Sequence, residues 1–133
     1  MKPDAALQKS LIDHLAPWPE VSLIILFGSL AAGQARADSD LDLAIDLGRP
    51  LEVREKMAMI ETLADLTGRP IDLIDLRTVG EPLLGEILAG GIRLAGSDEA
   101  YAELALKHIY AVEDFVPYQQ RILRERREAW LGK

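Results

Sequence analysis

A chain of 133 residues, 49% of them hydrophobic, has the size of one small domain and enough apolar material for a core. It contains no cysteine, which excludes disulfides and thiolate metal sites, and its net charge of −7 argues against direct nucleic-acid binding. The most apolar run, residues 21–27, is far shorter than the roughly 20 residues that cross a membrane. We therefore expect no membrane contact and a cytoplasmic protein, whose acidity permits a basic protein partner.

The first part of the chain predicts one helix, two strands and a loop. Leucines recur at helical spacing over residues 3–15, and the prolines that follow should end that helix. The apolar run 21–27 predicts a buried strand that ends at Gly28. Residues 29–39 are small and polar, which indicates a loop with room for one helical turn. Apolar residues and aspartates alternate over residues 40–46, which predicts a second strand with an acidic face at one end.

The middle of the chain predicts two more helices and two more strands. A helix over residues 51–66 should end at Gly68, which is a suitable C-cap. A third strand is expected over residues 71–76, then a short helix over 82–88 and a small strand over 92–94.

The C-terminal helical part covers about residues 98–133. A long helix should begin near Glu99, and Pro117 should kink or end it. Residues 118–130 then predict a second, mostly polar helical stretch, which is either a frayed surface element or a segment that docks on a partner. Because neither repeats nor a linker is visible, we expect a single domain over residues 1–133.

The chemistry centres on paired aspartates. Asp40 and Asp42 face the same side of a strand, roughly 6.6 Å apart, and without a cation they repel each other. Carboxylate oxygens are the ligands that Mg²⁺ prefers. Asp72 begins the third strand, so it becomes a third ligand if that strand pairs beside the second. Asp75 has the opposite strand parity and should point to the other face, so it is only the alternative candidate for the third ligand.

Gly28 and Ser29 form a candidate phosphate-binding turn. A strand that ends in glycine and enters a helical turn presents free backbone N–H groups, which bind phosphate oxygens. The Ser29 hydroxyl can add one hydrogen bond. An anion-binding turn beside a carboxylate metal site favours nucleoside triphosphate–Mg²⁺ and in-line phosphoryl or nucleotidyl transfer.

These residues match a known pattern. Phe27-Gly28-Ser29 followed by residues 38–43 resembles the signature of the polymerase-β-like nucleotidyltransferase superfamily, and the short chain resembles its minimal (MNT) members. The likeness continues through residues 71–76 and the helices after them. It implies an α+β fold in which helices flank a small mixed sheet, with a long C-terminal helix.

Within the superfamily, the chain resembles the MntA-type antitoxins of HEPN/MNT toxin–antitoxin systems. That resemblance implies transfer of AMP from ATP to a tyrosine of a HEPN ribonuclease toxin, which silences the toxin. Gly28 and Ser29 would hold the triphosphate. Asp40 and Asp42 would bind Mg²⁺, and Asp72 would complete the metal site and act as general base.

One position departs from the family pattern. Many members carry a basic or polar side chain where this chain has Ala32, and Arg36 is the candidate that could take over the phosphate contact.

Other interpretations stay open. The protein could be an antitoxin that neutralises a ribonuclease by binding alone, or a nucleotidyltransferase for a small molecule. Asp46 and Asp75 are expected to face solvent, and surface roles are favoured for Arg69 and Arg77 over contact with triphosphate or a partner.

Overall fold

The structure is a computed structural model that describes residues 4–130, and over residues 114–120 it describes the backbone alone. Its elements in chain order are α1 (Ala5–Leu15), β1 (Leu23–Phe27), α2 (Gly28–Ala32), β2 (Leu41–Asp46), α3 (Val53–Thr67), β3 (Ile71–Asp75), α4 (Leu83–Gly90), β4 (Ile92–Gly96) and α5 (Asp98–Trp130).

The strands form a four-stranded mixed sheet in the order β3-β2-β1-β4. β1 runs antiparallel to both of its neighbours, whereas β2 and β3 are parallel and are connected through α3. Within this register Asp42 lies opposite Phe27 on one side and opposite Asp72 on the other. The α+β class with a small mixed sheet is therefore confirmed.

Helices cover both faces of the sheet. Leu11 and Leu15 of α1 and Met59 and Leu63 of α3 pack in one buried cluster with alternate strand residues. On the opposite face, α4 and α5 contribute to a second cluster, whose buried members are Leu23, Ile25, Phe27, Ala44, Leu76, Leu84, Ile87 and Leu104. All five residues of β1 are buried because its two faces meet different helical layers.

The ends of the elements follow local chemistry. The Asp4 side chain accepts a hydrogen bond from the Ala6 N–H at the start of α1 (3.0 Å). Gly68 has φ = 65° and ends α3, which confirms the predicted C-cap. β1 begins at Leu23, two residues later than the apolar run suggests.

The long C-terminal helix α5 differs from its prediction. It is one helix of 33 residues, about 50 Å long, and it continues past Pro117. Pro117 was expected to kink or end the helix; it does not end it, and the second helical stretch expected over residues 118–130 is the last part of α5. A proline removes only one backbone hydrogen bond, which a helix of this length can lose without ending. Despite this length, no helix among the described residues is apolar enough to span a membrane.

Truncating the centre of β2 should destabilise the fold. Leu43 is fully buried, so Leu43→Ala should lower the free energy of unfolding by about 2–5 kcal/mol in a urea titration. Leu123→Ala makes the same chemical change at a side chain that is 64% exposed, and it should cost less than about 0.5 kcal/mol. Equal losses in the two variants would contradict the assignment of the core.

Candidate active site

The candidate site is centred on a contact between Asp42 and Asp72. The parallel register of β2 and β3 places these residues opposite each other, so that their carboxyl groups lie side by side. Asp42 is half-buried and Asp72 is exposed. Two neighbouring carboxyl groups can hydrogen-bond to each other only if one of them carries a proton. The pair is therefore poorly suited to holding two negative charges without a cation.

Burial raises the pKa of the Asp42 carboxyl above its ordinary value, and the charges of Asp72 and Asp40, with hydrogen bonding of protonated Asp42 to Asp72, raise that pKa further. All four causes act in the same direction because burial and the two like charges penalise the ionised carboxylate, while the hydrogen bond favours the protonated form. A bound cation would reverse the electrostatic part of this penalty, so the site is chemically suited to a hard divalent ion such as Mg²⁺.

Asp40 belongs to the site through its charge. It is exposed and lies immediately before β2, where its charge acts on Asp42. Over the described part of the chain, however, no three carboxylate or imidazole side chains form a ready-made metal-binding group. The structure therefore brings Asp42 and Asp72 into direct contact, with Asp40 nearby but outside that contact.

Gly28 provides the space that Asp42 occupies. It follows β1 directly, starts the short helix α2 and has φ = 72°, a conformation that favours glycine. A Cβ atom at this position would lie 2.0 Å from Asp42 Oδ2, so any larger residue would collide with the carboxylate. The predicted helical turn after Gly28-Ser29 is thus present, and it directly adjoins the carboxylate pair.

Two further candidates lie in α2 and in the loop over residues 33–40 that follows it. Ser29 is half-buried, and its carbonyl accepts a hydrogen bond from Gln34 N–H (2.9 Å), which closes the start of the loop. Arg36 is exposed, and its backbone N–H donates to Ser39 Oγ (2.7 Å). A phosphate contact by the Arg36 side chain stays a prediction.

The structure assigns supporting roles to two other aspartates. Asp46 accepts hydrogen bonds from Gly48 N–H (2.7 Å) and Arg77 Nε (2.9 Å), and its side chain is only 15% exposed. Asp75 accepts from Leu51 N–H (2.8 Å) and Arg77 N–H (2.9 Å).

The expectation that both face solvent is wrong, because each bonds to a backbone N–H two residues further on and to a residue distant in the sequence. An aspartate followed by a tight turn, as in Asp46-Leu47-Gly48, is a signal that could have indicated this. Asp75 thus stays outside the carboxylate pair, as its strand parity predicts.

A separate groove of about 870 Å³ lies between α4 and α5. Its lining is mostly apolar, and it includes His108, whose ring Nδ1 contacts the Glu81 carboxylate. None of the three candidate aspartates lines this groove.

The chain is similar in sequence to known nucleotidyltransferases. The family model described as polymerase beta, nucleotidyltransferase matches residues 9–100. The chain is 28% identical over 105 residues to the protein adenylyltransferase MntA of Shewanella oneidensis, a match that covers 79% of this chain and 76% of that protein.

Solved structures share the fold. A toxin–antitoxin crystal structure with AMP-PNP superposes with a TM-score of 0.78 at 26% identity, covering 89% of this chain and 96% of the other. A complex of the tri-AMPylated Shewanella oneidensis HEPN toxin with its MNT antitoxin matches with a TM-score of 0.73 at 24% identity, covering 90% and 95% of the two chains. The expected polymerase-β-like fold is thereby confirmed.

Alanine at position 28 should disrupt the site more than the same change elsewhere. Gly28→Ala forces both a left-handed alanine, which costs roughly 1–2 kcal/mol, and displacement of Asp42. Gly68→Ala is the matched control, since Gly68 has φ = 65° and open space around its Cβ position. Urea unfolding should show a larger loss for Gly28→Ala, and a loss equal to that of Gly68→Ala would contradict the close contact.

The raised pKa of Asp42 predicts a pH dependence of stability. In the metal-free protein, the folded state keeps a proton on Asp42 at pH values where the unfolded chain has lost it. The free energy of unfolding should therefore fall as pH rises from the ordinary aspartate pKa of 3.8 through the raised value in the folded protein.

Asp42→Asn removes this titration, so urea unfolding in a pH series that starts at the ordinary aspartate pKa of 3.8 and rises to neutral should show the variant gaining stability relative to the wild type. Parallel stability curves for the two proteins would contradict the assignment.

Proposed function

The chain belongs to the polymerase β nucleotidyltransferase family, and we propose that it is an Mg²⁺-dependent antitoxin that transfers AMP from ATP to a tyrosine hydroxyl of a HEPN ribonuclease toxin. The observation that carries this proposal is the Asp42–Asp72 contact beside the Gly28 turn. Two relatives support it: one is named a protein adenylyltransferase, and the other is a toxin–antitoxin complex with AMP-PNP.

The donor set fits the metal that the family implies. Asp40, Asp42 and Asp72 would hold Mg²⁺, which supplies charge neutralisation at the α-phosphate when it is bound. The chain itself would bind the triphosphate through the backbone N–H groups and hydroxyl of the Gly28-Ser29 turn. Arg36, exposed on the adjoining loop, would add a positive charge at the phosphates.

Asp72 is the candidate general base. It is more exposed than Asp42, so an acceptor hydroxyl can reach it from solvent. A tyrosine hydroxyl has a pKa near 10, and it must lose its proton as its oxygen bonds to the α-phosphorus. In this proposal Asp72 takes that proton while the bond from the α-phosphorus to the pyrophosphate oxygen breaks, and pyrophosphate leaves.

The surface of α5 favours a protein acceptor over a small molecule. Leu106, Ile109 and Tyr110 are 48%, 48% and 60% exposed, and they lie on the side of the helix opposite the buried Leu104. Exposed apolar clusters of this kind mark protein contacts. The net charge of −7 further favours a basic partner, as expected of a protein that binds RNA.

Removing two of the three carboxylates should abolish transfer. Asp40→Ala combined with Asp42→Ala removes two proposed metal ligands, so incubation with ATP, Mg²⁺ and the cognate toxin should leave the toxin's mass unchanged. The wild-type protein should add one or more adenylyl groups to the toxin in the same intact-mass assay. Asp13→Ala combined with Asp65→Ala removes the same charge from exposed helix positions and should transfer normally.

Full transfer by the Asp40/Asp42 double variant would refute the assignment of the site. Neutralisation of the toxin's ribonuclease activity by the wild-type protein, without any mass change, would instead support an antitoxin that acts by binding alone.

A further inference from the structure

Asp40 is the last residue of an exposed loop, and the side chain of Arg69, which lies outside that loop, binds the loop backbone just before Asp40. The loop, residues 33–40, joins α2 to β2, and the side chains of Arg36, Asp38 and Asp40 are all exposed. We propose that Arg69 is the positioning residue that fixes this loop and so aims Asp40 at Asp42. The proposal rests on the proposed function for its catalytic consequence, while its structural part stands on the contacts alone.

The side chain of Arg69 binds the loop backbone directly. Its Nη1 donates to the Arg36 carbonyl (2.7 Å) and to the Ser39 carbonyl (3.0 Å). The Ser39 carbonyl belongs to the peptide bond that precedes Asp40. Hydrogen bonds from a charged donor are stronger than neutral ones, so this one nitrogen supplies a substantial part of the loop's anchoring.

Pro70, which follows Arg69 in the chain, contacts the backbone immediately after Asp40. Leu41 N–H donates to the Pro70 carbonyl (2.8 Å), so residues 69 and 70 contact the backbone both before and after Asp40. Within the loop, Ser39 and Arg36 close a turn through Ser39 N–H to the Arg36 carbonyl (3.1 Å) and Arg36 N–H to Ser39 Oγ (2.7 Å). Arg69 thus binds the two carbonyls that this turn presents.

Arg69 is itself well placed to act as an anchor. It is half-buried, and it follows the C-cap of α3. Its backbone N–H donates to Thr67 Oγ1 (3.2 Å), and the Thr67 hydroxyl donates to the Leu63 carbonyl (2.8 Å) in the last turn of that helix. The guanidinium is therefore attached to a packed helix at one end and to the exposed loop at the other.

This arrangement assigns Arg69 a different task from phosphate binding or a surface role. Nη1 donates its hydrogen bonds to backbone carbonyls of the loop. If Nη1 bound a triphosphate instead, the loop would lose these two hydrogen bonds. Because Asp40 lies outside the direct Asp42–Asp72 contact, its distance from the pair depends on where the loop holds it. Losing the anchor should therefore weaken metal binding more than nucleotide binding.

Hydrogen exchange tests the structural part without metal or nucleotide. In the full-length protein, Arg69→Ala should speed exchange of the backbone amides of residues 36–41 by about tenfold, with α1 and β1 unchanged. Arg69→Lys, whose ammonium can still donate to both carbonyls, should give an intermediate rate. Arg77→Ala is the matched control, because Arg77 bonds to Asp46 at the far end of β2 and should leave the loop unchanged.

Transfer kinetics test the catalytic part. Arg69→Ala should raise the Mg²⁺ concentration for half-maximal transfer several-fold and leave the KM for ATP at saturating Mg²⁺ unchanged, with Arg69→Lys in between. Unchanged loop exchange in Arg69→Ala overturns the proposal, as does a raised KM for ATP with an unchanged Mg²⁺ requirement. If the wild-type chain transfers nothing, the proposed function fails, and the exchange rates still decide whether Arg69 holds the loop.

Discussion

Two carboxyl groups held side by side are the constraint on which the rest of the site depends. Parallel pairing of β2 with β3 places Asp42 against Asp72, and partial burial makes the charged form of Asp42 costly. The fold tolerates this arrangement because the surrounding core is large and apolar, with Leu43 and Leu73 buried beside the pair on the other face. Electrostatic repulsion between neighbouring carboxylates is typical of sites that bind a cation, and the charge of a bound cation offsets that repulsion.

The backbone around this pair is shaped to accommodate it. Gly28 leaves room for the Asp42 carboxylate and simultaneously starts the turn whose N–H groups can meet phosphates. On the other side, the contacts of Arg69 and Pro70 bracket Asp40. The proposed metal ligands and phosphate donors thus come from three separate segments, and each segment is attached to a packed helix or strand. Proximity of this kind is what in-line transfer of a nucleotidyl group requires.

Acidic residues at strand ends look alike in the sequence, and the structure separates them by their neighbours. Asp46 and Asp75 accept backbone N–H groups and Arg77, which stabilises their charges and ties β2 and β3 to adjoining turns. Asp42 instead faces other carboxylates. This difference arises from contacts with residues that are distant along the chain, such as Leu51 with Asp75, and so local pattern alone predicted solvent exposure for residues that are in fact structural.

Local periodicity was sufficient to predict the strands, most of the helices and the turn at Gly28, because each depends on residues close together in the chain. It also predicted a shared strand face for Asp40 and Asp42, but β2 begins at Leu41, so Asp40 lies on the preceding loop. Continuation of α5 past Pro117 was not predictable in this way. It depends on whether the free energy lost with one backbone hydrogen bond exceeds the stability of the rest of the helix, which a local pattern does not give. The tertiary structure alone decided that β3 pairs with β2 in the register that joins Asp72 to Asp42, and that Arg69 holds the loop before Asp40. Strand pairing and a side chain's reach across the fold are long-range interactions, and their energies are set by packing that no local segment contains.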